Sequence, residues 1–132
     1  MKQIVLVEDD AWLAEMYQDV LAQLSGVAVR WAGDAAQALE LLDEMPADLI
    51  LLDMFLPGHN GIEFLHEIAS YADTGRTPVI ILSAVHEHDF AMSRDRWRQY
   101  GVVEYLYKPV IKPPVLIAAV QKQLLAAEAS SS

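Results

Sequence analysis

Five short apolar runs punctuate the chain, at Ile4–Val7, Val27–Trp31, Leu49–Leu52, Val79–Leu82 and Val102–Tyr107, and the stretches between them carry helical spacing. The runs are of strand length and, apart from Arg30 and Glu104, apolar throughout rather than alternating, the pattern of strands covered on both faces. From Ala11 to Ser25 the apolar positions Leu13, Met16, Tyr17, Val20, Leu21 and Leu24 fall on one helical face, with Asp10 as N-cap and Gly26 as stop. Asp34 and Gln37 stand at capping-box spacing and open a second helix through Leu39, Leu42 and Met45, closed by Pro46. A third helix follows Gly61 through Phe64, Leu65 and Ile68, and a fourth lies between about Asp89 and Tyr100, ended by Gly101. The fifth starts at Pro113 or Pro114, where a missing N–H costs nothing, and aligns Leu116, Ile117, Val120 and Leu124. Ala126–Ser132 reads as a frayed end or linker.

Five βα units predict an α/β fold: an open, doubly wound, five-stranded parallel sheet with helices on both faces, in the flavodoxin-like order 2-1-3-4-5. Ligands of such sheets bind at the carboxyl ends of the strands, beside the switch point between strands 1 and 3. Composition narrows the function. The 132 residues suit one domain, and 54% hydrophobic residues supply a core that needs no staples. The absence of cysteine excludes disulfides, iron–sulfur clusters, thiolate zinc sites and cysteine nucleophiles. Nineteen acidic against nine basic residues give a charge of −10, which repels a nucleic-acid backbone, so direct nucleic-acid binding is not expected. Glu8-Asp9-Asp10 breaks the first apolar run as no secretory or membrane segment tolerates, so a soluble cytoplasmic protein without membrane contact is expected.

The residues closing the apolar runs are Glu8-Asp9, Asp53, Ser83 and Lys108. The sheet order predicts that they converge on one crevice. Three clustered carboxylates repel one another and need raised pKa values or a bound cation. Magnesium fits a set of carboxylates, main-chain oxygen, water and phosphate oxygen, whereas zinc would recruit histidine or cysteine, absent here. Asp53 ends a central strand alone and is the candidate nucleophile toward phosphorus, with the strand 1 acids holding metal. A metal, one ammonium and one hydroxyl donor suffice for phosphoryl transfer, which is chiefly positioning and charge neutralisation.

Glu8-Asp9-Asp10, Asp53 to Gly61 with Pro57 and Gly58, Ser83-Ala84 and Tyr105 to Lys108-Pro109 occur in this order, each behind its apolar run. Together they resemble the receiver domain of two-component response regulators over Lys2 to about Ala127. The resemblance implies a receiver domain over residues 1–127 and a tail over 128–132. It implies Asp53 as phosphoacceptor, and Mg2+ held by Glu8, Asp9, Asp53 and the Phe55 main-chain carbonyl. It further implies Lys108 as phosphate contact, Ser83 as phosphoryl-bonding hydroxyl, and Ser83 with Tyr105 as the switch that repacks the surface of helix 4, strand 5 and helix 5. The Lys108–Pro109 peptide is expected cis, as is usual in the family. The implied partners are a histidine kinase or histidine phosphotransfer protein, and a downstream protein or fused effector domain. The module is not an enzyme beyond its own phosphorylation and dephosphorylation. A phosphorylation-dependent homodimer is a further expectation, weakened by an alanine-rich fifth helix nearly free of arginine.

Asn60 stands where many members have aspartate, and Tyr107 replaces a residue that is commonly small or polar. Apolar Phe55 and Val85 beside the pocket would not position a hydrolytic water, which predicts a long-lived phosphoryl state. The arginines and aromatics of the segment from His86 to Tyr100 mark helix 4 as the expected partner contact, the alternative being an ordinary solvated helix with Trp97 packed inward. His86 and His88 lack a third ligand and are assigned no role, and Trp12 is expected near the crevice mouth. Phosphatase chemistry would want an aspartate where Phe55 stands, and three acids after strand 1 repel a flavin phosphate. The remaining alternative is a phosphorylation-independent protein-interaction module on the same fold.

Overall fold

Because the central strands are unbroken apolar through Ile4–Val7, Leu49–Leu52 and Val79–Leu82, the middle of the sheet has to be buried on both sides, and that requirement organises the molecule. The computed structural model describes residues 1–56, 59–70, 77–85 and 94–131. In chain order these form β1 (Lys2–Val7), α1 (Ala11–Leu21), β2 (Val27–Ala32), α2 (Ala35–Glu44), β3 (Leu49–Asp53), α3 (Gly61–Ser70), β4 (Val79–Ser83), α4 (Arg94–Gln99), β5 (Val102–Tyr107) and α5 (Pro113–Ser131). A short antiparallel ladder pairs Phe55–Leu56 with His59–Asn60, and Lys108–Val110 is a 3-10 turn. The five long strands pair in parallel in the order β2-β1-β3-β4-β5, the arrangement expected from the βα alternation.

Successive side chains of each strand go to opposite faces, so each strand feeds two cores. On one face Val5, Val7, Ile50, Leu52 and Ile81 pack with Ala38 and Leu42 of α2, Phe64, Leu65 and Ile68 of α3, and Trp97 of α4. On the other, Ile4, Leu6, Leu49, Leu51, Ile80 and Leu82 meet Ala14, Tyr17 and Leu21 of α1 and Leu116, Ala119 and Val120 of α5. Each fully buried Leu or Ile contributes roughly 1.5–3 kcal/mol of transfer free energy. Among the described residues no helix is long and apolar enough to cross a membrane.

The capping signals act as read from the sequence. Asp10 accepts from the Trp12 and Leu13 amides at 2.9 and 3.1 Å, and Asp34 accepts from the Gln37 amide at 2.8 Å. The Gln37 side chain reaches back to the Gly33 amide at 2.9 Å, one residue beyond the partner of a standard capping box.

Several boundaries differ from expectation. Helix α1 stops at Leu21 instead of Ser25, because the Gln23 and Leu24 amides turn back to carbonyls three residues earlier and tighten the last turn. Its buried stripe runs through Ala14, Tyr17, Val20 and Leu21, while Met16 is exposed; small Ala14 lets the helix approach the sheet. Helix α5 continues to Ser131 where a frayed end was expected, since Ala126–Ala129 contains good helix formers and no stop signal. Asp89, the expected start of the fourth helix, lies outside the described residues, as do His86 and His88. The described part of that helix is Arg94–Gln99. The peptide bonds described include no cis bond, so Lys108–Pro109 is trans, contrary to expectation. Pro109 instead occupies an early position of the 3-10 turn, where its fixed φ suits the turn and its absent N–H is not needed.

Among the described residues two glycines carry positive φ, Gly26 at 73° and Gly101 at 78°. A Cβ at Gly26 would meet open space, whereas at Gly101 it would lie 2.9 Å from the Thr77 carbonyl oxygen. Gly26→Ala is expected to cost about 1 kcal/mol from the left-handed backbone alone, and Gly101→Ala about 2–3 kcal/mol because backbone must also move. Urea denaturation of the two variants checks this order; equal losses would contradict it.

Candidate functional site

Parallel pairing puts the ends of β1, β3, β4 and β5 at one edge of the sheet, which is why residues far apart in sequence meet there. Glu8 follows β1, Asp53 and Ser83 are the last residues of β3 and β4, and Lys108 follows β5. Glu8, Asp53 and Ser83 are buried, at 1%, 5% and 0% exposure, while Asp9 is exposed. One carboxylate oxygen from each of Glu8, Asp9 and Asp53 lies within 4.8 Å of the others. Lys108 bridges two of them, its Nζ donating to Glu8 Oε1 at 2.7 Å and to Asp53 Oδ2 at 3.0 Å.

The electrostatics follow from this crowding. Burial first, and then a hydrogen bond with the Asp53 carboxylate, push the Glu8 carboxyl up to about 8, against the opposing pull of Lys108. Burial also acts to lower the Lys108 ammonium, but its bonds to Glu8 and Asp53 outweigh that and hold it above the ordinary lysine value. Glu8 Oε2 is buried with no hydrogen-bond partner among the described residues. A buried carboxylate oxygen left in that state is costly unless a proton or a cation satisfies it. The donor set is all oxygen and strongly acidic, suited to a hard divalent ion.

A second chain of contacts leads away from the crevice. The Val85 amide donates to Ser83 Oγ at 3.0 Å, and the Tyr105 hydroxyl donates to the Val85 carbonyl. The Tyr105 ring stacks on Trp97, with centroids 5.5 Å apart and planes 15° from parallel. Trp97 therefore packs inward from α4, one of the two placements the sequence left open, while Arg96 and Arg98 are exposed. Tyr100 is half-buried and its hydroxyl lies 2.8 Å from His66 Nε2 of α3. Trp12 is 72% exposed on α1.

Sequence reading missed two contacts made by β2, one of them beside the site. Arg30 of β2 donates to the Leu41 and Met45 carbonyls at 2.6 and 2.7 Å, closing the C-terminal end of α2 where a cation is favoured. Trp31 Nε1 donates to the Glu8 main-chain oxygen at 2.7 Å. The only advance signal was a tryptophan at the end of an edge strand, which does not reveal where its N–H points.

Sheet order and crevice together define an α/β domain with an acidic cluster at the switch point between β1 and β3. The chain belongs to the response regulator receiver family: the family model described as the response regulator receiver domain matches residues 4–121. It is a signalling domain of the kind used in two-component systems. The transcriptional regulatory protein MalR of Bacillus subtilis is 38% identical over 110 residues, covering 83% of this chain and 45% of its own length. The DNA-binding response regulator MtrA of Mycobacterium tuberculosis is 37% identical over 124 residues, covering 93% of this chain and 50% of its own. The chain thus spans about half the length of the curated relatives it matches. Among solved structures, the receiver domain of sensor histidine kinase PA1611 from Pseudomonas aeruginosa is 30% identical with a TM-score of 0.76, covering 93% of this chain and 97% of that one. That structure holds a magnesium ion coordinated in its active-site cleft.

Proposed function

We propose that the domain accepts a phosphoryl group on Asp53, with Mg2+ held by Glu8, Asp9, Asp53 and the Phe55 main-chain carbonyl, and thereby switches the surface formed by α4, β5 and α5. The observation that carries this reading is the cluster of three carboxylates within 4.8 Å, two of them bound by Lys108. The buried, unpartnered Glu8 Oε2 fits a cation ligand, and the PA1611 receiver supports the choice of ion. When bound, Mg2+ neutralises the carboxylates and lowers the cost of bringing phosphoryl oxygens among them.

The chain's own residues supply the rest. An Asp53 carboxylate oxygen attacks phosphorus, the bond from phosphorus to the donor's nitrogen or oxygen breaks, and its electron pair leaves with the donor. The product is an acyl phosphate on Asp53. Lys108, already 3.0 Å from Asp53 Oδ2, follows the new charge onto a phosphoryl oxygen. The Ser83 hydroxyl turns to donate to a second one. Because Ser83 and Tyr105 both bond Val85, movement of this segment is passed to Tyr105 and to the Trp97 stacked on it. The donor in this reading is a histidine kinase or histidine phosphotransfer protein, and the setting is cytoplasmic. The output is a downstream protein or a fused effector domain, for which the DNA-binding relatives provide a precedent. Because the residues at positions 55 and 85 are apolar and offer no group to position a hydrolytic water, the phosphoryl state is proposed to be long-lived.

Incubation with acetyl phosphate and Mg2+ is expected to add one phosphoryl group, about 80 Da, by intact mass. EDTA and Asp53→Asn should each abolish the gain. No gain in the wild-type protein would favour a phosphorylation-independent interaction module instead.

A further inference from the structure

We infer that Trp31 is a positioning residue for the acidic pair, its indole N–H fixing the Glu8–Asp9 peptide so that Asp9 faces the metal site. This rests on the metal-binding reading above. β2 is an edge strand, and Trp31 lies opposite Leu6 in its pairing with β1. The Trp31 side chain is 41% exposed, yet its Nε1–H reaches past the end of the β1–β2 ladder to donate to the Glu8 main-chain oxygen at 2.7 Å. The Glu8 amide donates to the neighbouring Ala32 carbonyl at 3.0 Å. Both main-chain groups of Glu8 are therefore held from β2 after regular pairing has stopped.

The consequence falls on Asp9. Glu8 is buried and its carboxylate is held by Lys108, so its side chain is placed independently of Trp31. Asp9 is exposed, and its carboxylate makes no hydrogen bond or ion pair with the described residues. What aims it is the peptide before it. In a planar trans peptide, fixing the carbonyl fixes the following N–H and Cα as well, with the N–H directed away from the carbonyl and so away from β2. β3, which ends in Asp53, lies on that side of β1. Without the indole bond the Glu8 carbonyl would be satisfied by water, and the peptide would be free to rotate and carry Asp9 out of range. A half-exposed tryptophan whose polar tip is engaged while its ring shields the bond from solvent suits this task better than a packing task.

Two variants test the role. Trp31→Phe keeps an aromatic ring and removes the donor, while site-specific benzothienylalanine at position 31 keeps the bicyclic shape and replaces only the N–H by sulfur. Mg2+ dissociation constants are measured by calorimetry, and melting temperatures in EDTA. The expected result is about tenfold weaker Mg2+ binding in both variants, the size typical of losing a partner that orients a metal ligand, with the EDTA melting temperature of the benzothienyl protein lowered by no more than the loss of one hydrogen bond. Wild-type affinity in the benzothienyl protein would overturn the role, including the case in which Trp31→Phe alone weakens binding, since ring packing would then be responsible. A wild-type protein that binds no Mg2+ would overturn the metal reading itself and this role with it, an outcome separable from the first because it precedes any substitution.

Discussion

Lys108→Ala is expected to destabilise the metal-free protein by about 3 kcal/mol at neutral pH and to slow phosphorylation by acetyl phosphate about a hundredfold. The stability effect follows from burial: Glu8 and Asp53 are almost fully enclosed, and Lys108 is the cation at 2.7 and 3.0 Å from them. Removing it takes the ammonium away from two enclosed carboxylates and leaves their mutual repulsion without that compensation. The lower end of the usual range for breaking a buried pair applies, because the Lys108 side chain is 15% exposed and Glu8 can keep its proton. The kinetic effect follows from charge development on the phosphoryl oxygens, which the ammonium is placed to meet. Urea denaturation in EDTA and a mass-spectrometric time course measure the two. Unchanged stability would mean that Lys108 does not hold the acids together.

The second large effect is on pH. Glu8 has an unfolded value near 4.5 and a folded value of about 8 in the absence of metal. Between these values the unfolded chain has released the proton while the folded chain still binds it. The unfolded state therefore binds fewer protons, and stability falls as pH rises. The contribution of Glu8 is complete below 4.5, declines across the window and is lost above about 8. Glu8→Gln should remove this slope, so the difference between wild type and variant in EDTA isolates it. Binding of Mg2+ needs the ionised carboxylate, so affinity should rise over the same window. A wild-type stability that climbs from pH 5 to pH 8 relative to Glu8→Gln would contradict the assigned burial and crowding.

Much of this was legible from the chain. Unbroken apolar runs such as Leu49–Leu52 could only be strands covered on both faces, and their alternation with helices left parallel pairing as the simple solution. Once the order was parallel, the residues after each run had to share an edge, which located Glu8, Asp53, Ser83 and Lys108 together before any coordinates. Cap residues were legible because Asp10 and Asp34 act on amides two or three positions away.

What escaped was set by side-chain reach and rotation. The Trp31–Glu8 and Arg30–α2 bonds join side chains to distant main-chain oxygens, and no spacing rule encodes such a pairing. The placement of Trp97 stayed open because an Arg-rich, aromatic helix does not reveal which face it turns to the sheet; the stacking on Tyr105 places the indole inward. Helix α1 was extended too far because Leu24 continues the apolar rhythm, although the chain has already left the helix and is turning toward Gly26.

The acceptor itself is identified most directly by reducing the phosphorylated protein with borohydride, which converts an acyl phosphate to an alcohol, and mapping the peptides. The expected result is homoserine at position 53 and nowhere else. Reduction at Glu8 or Asp9, or phosphate retained on a histidine or serine, would contradict the assignment of Asp53 as the residue that takes the phosphoryl group.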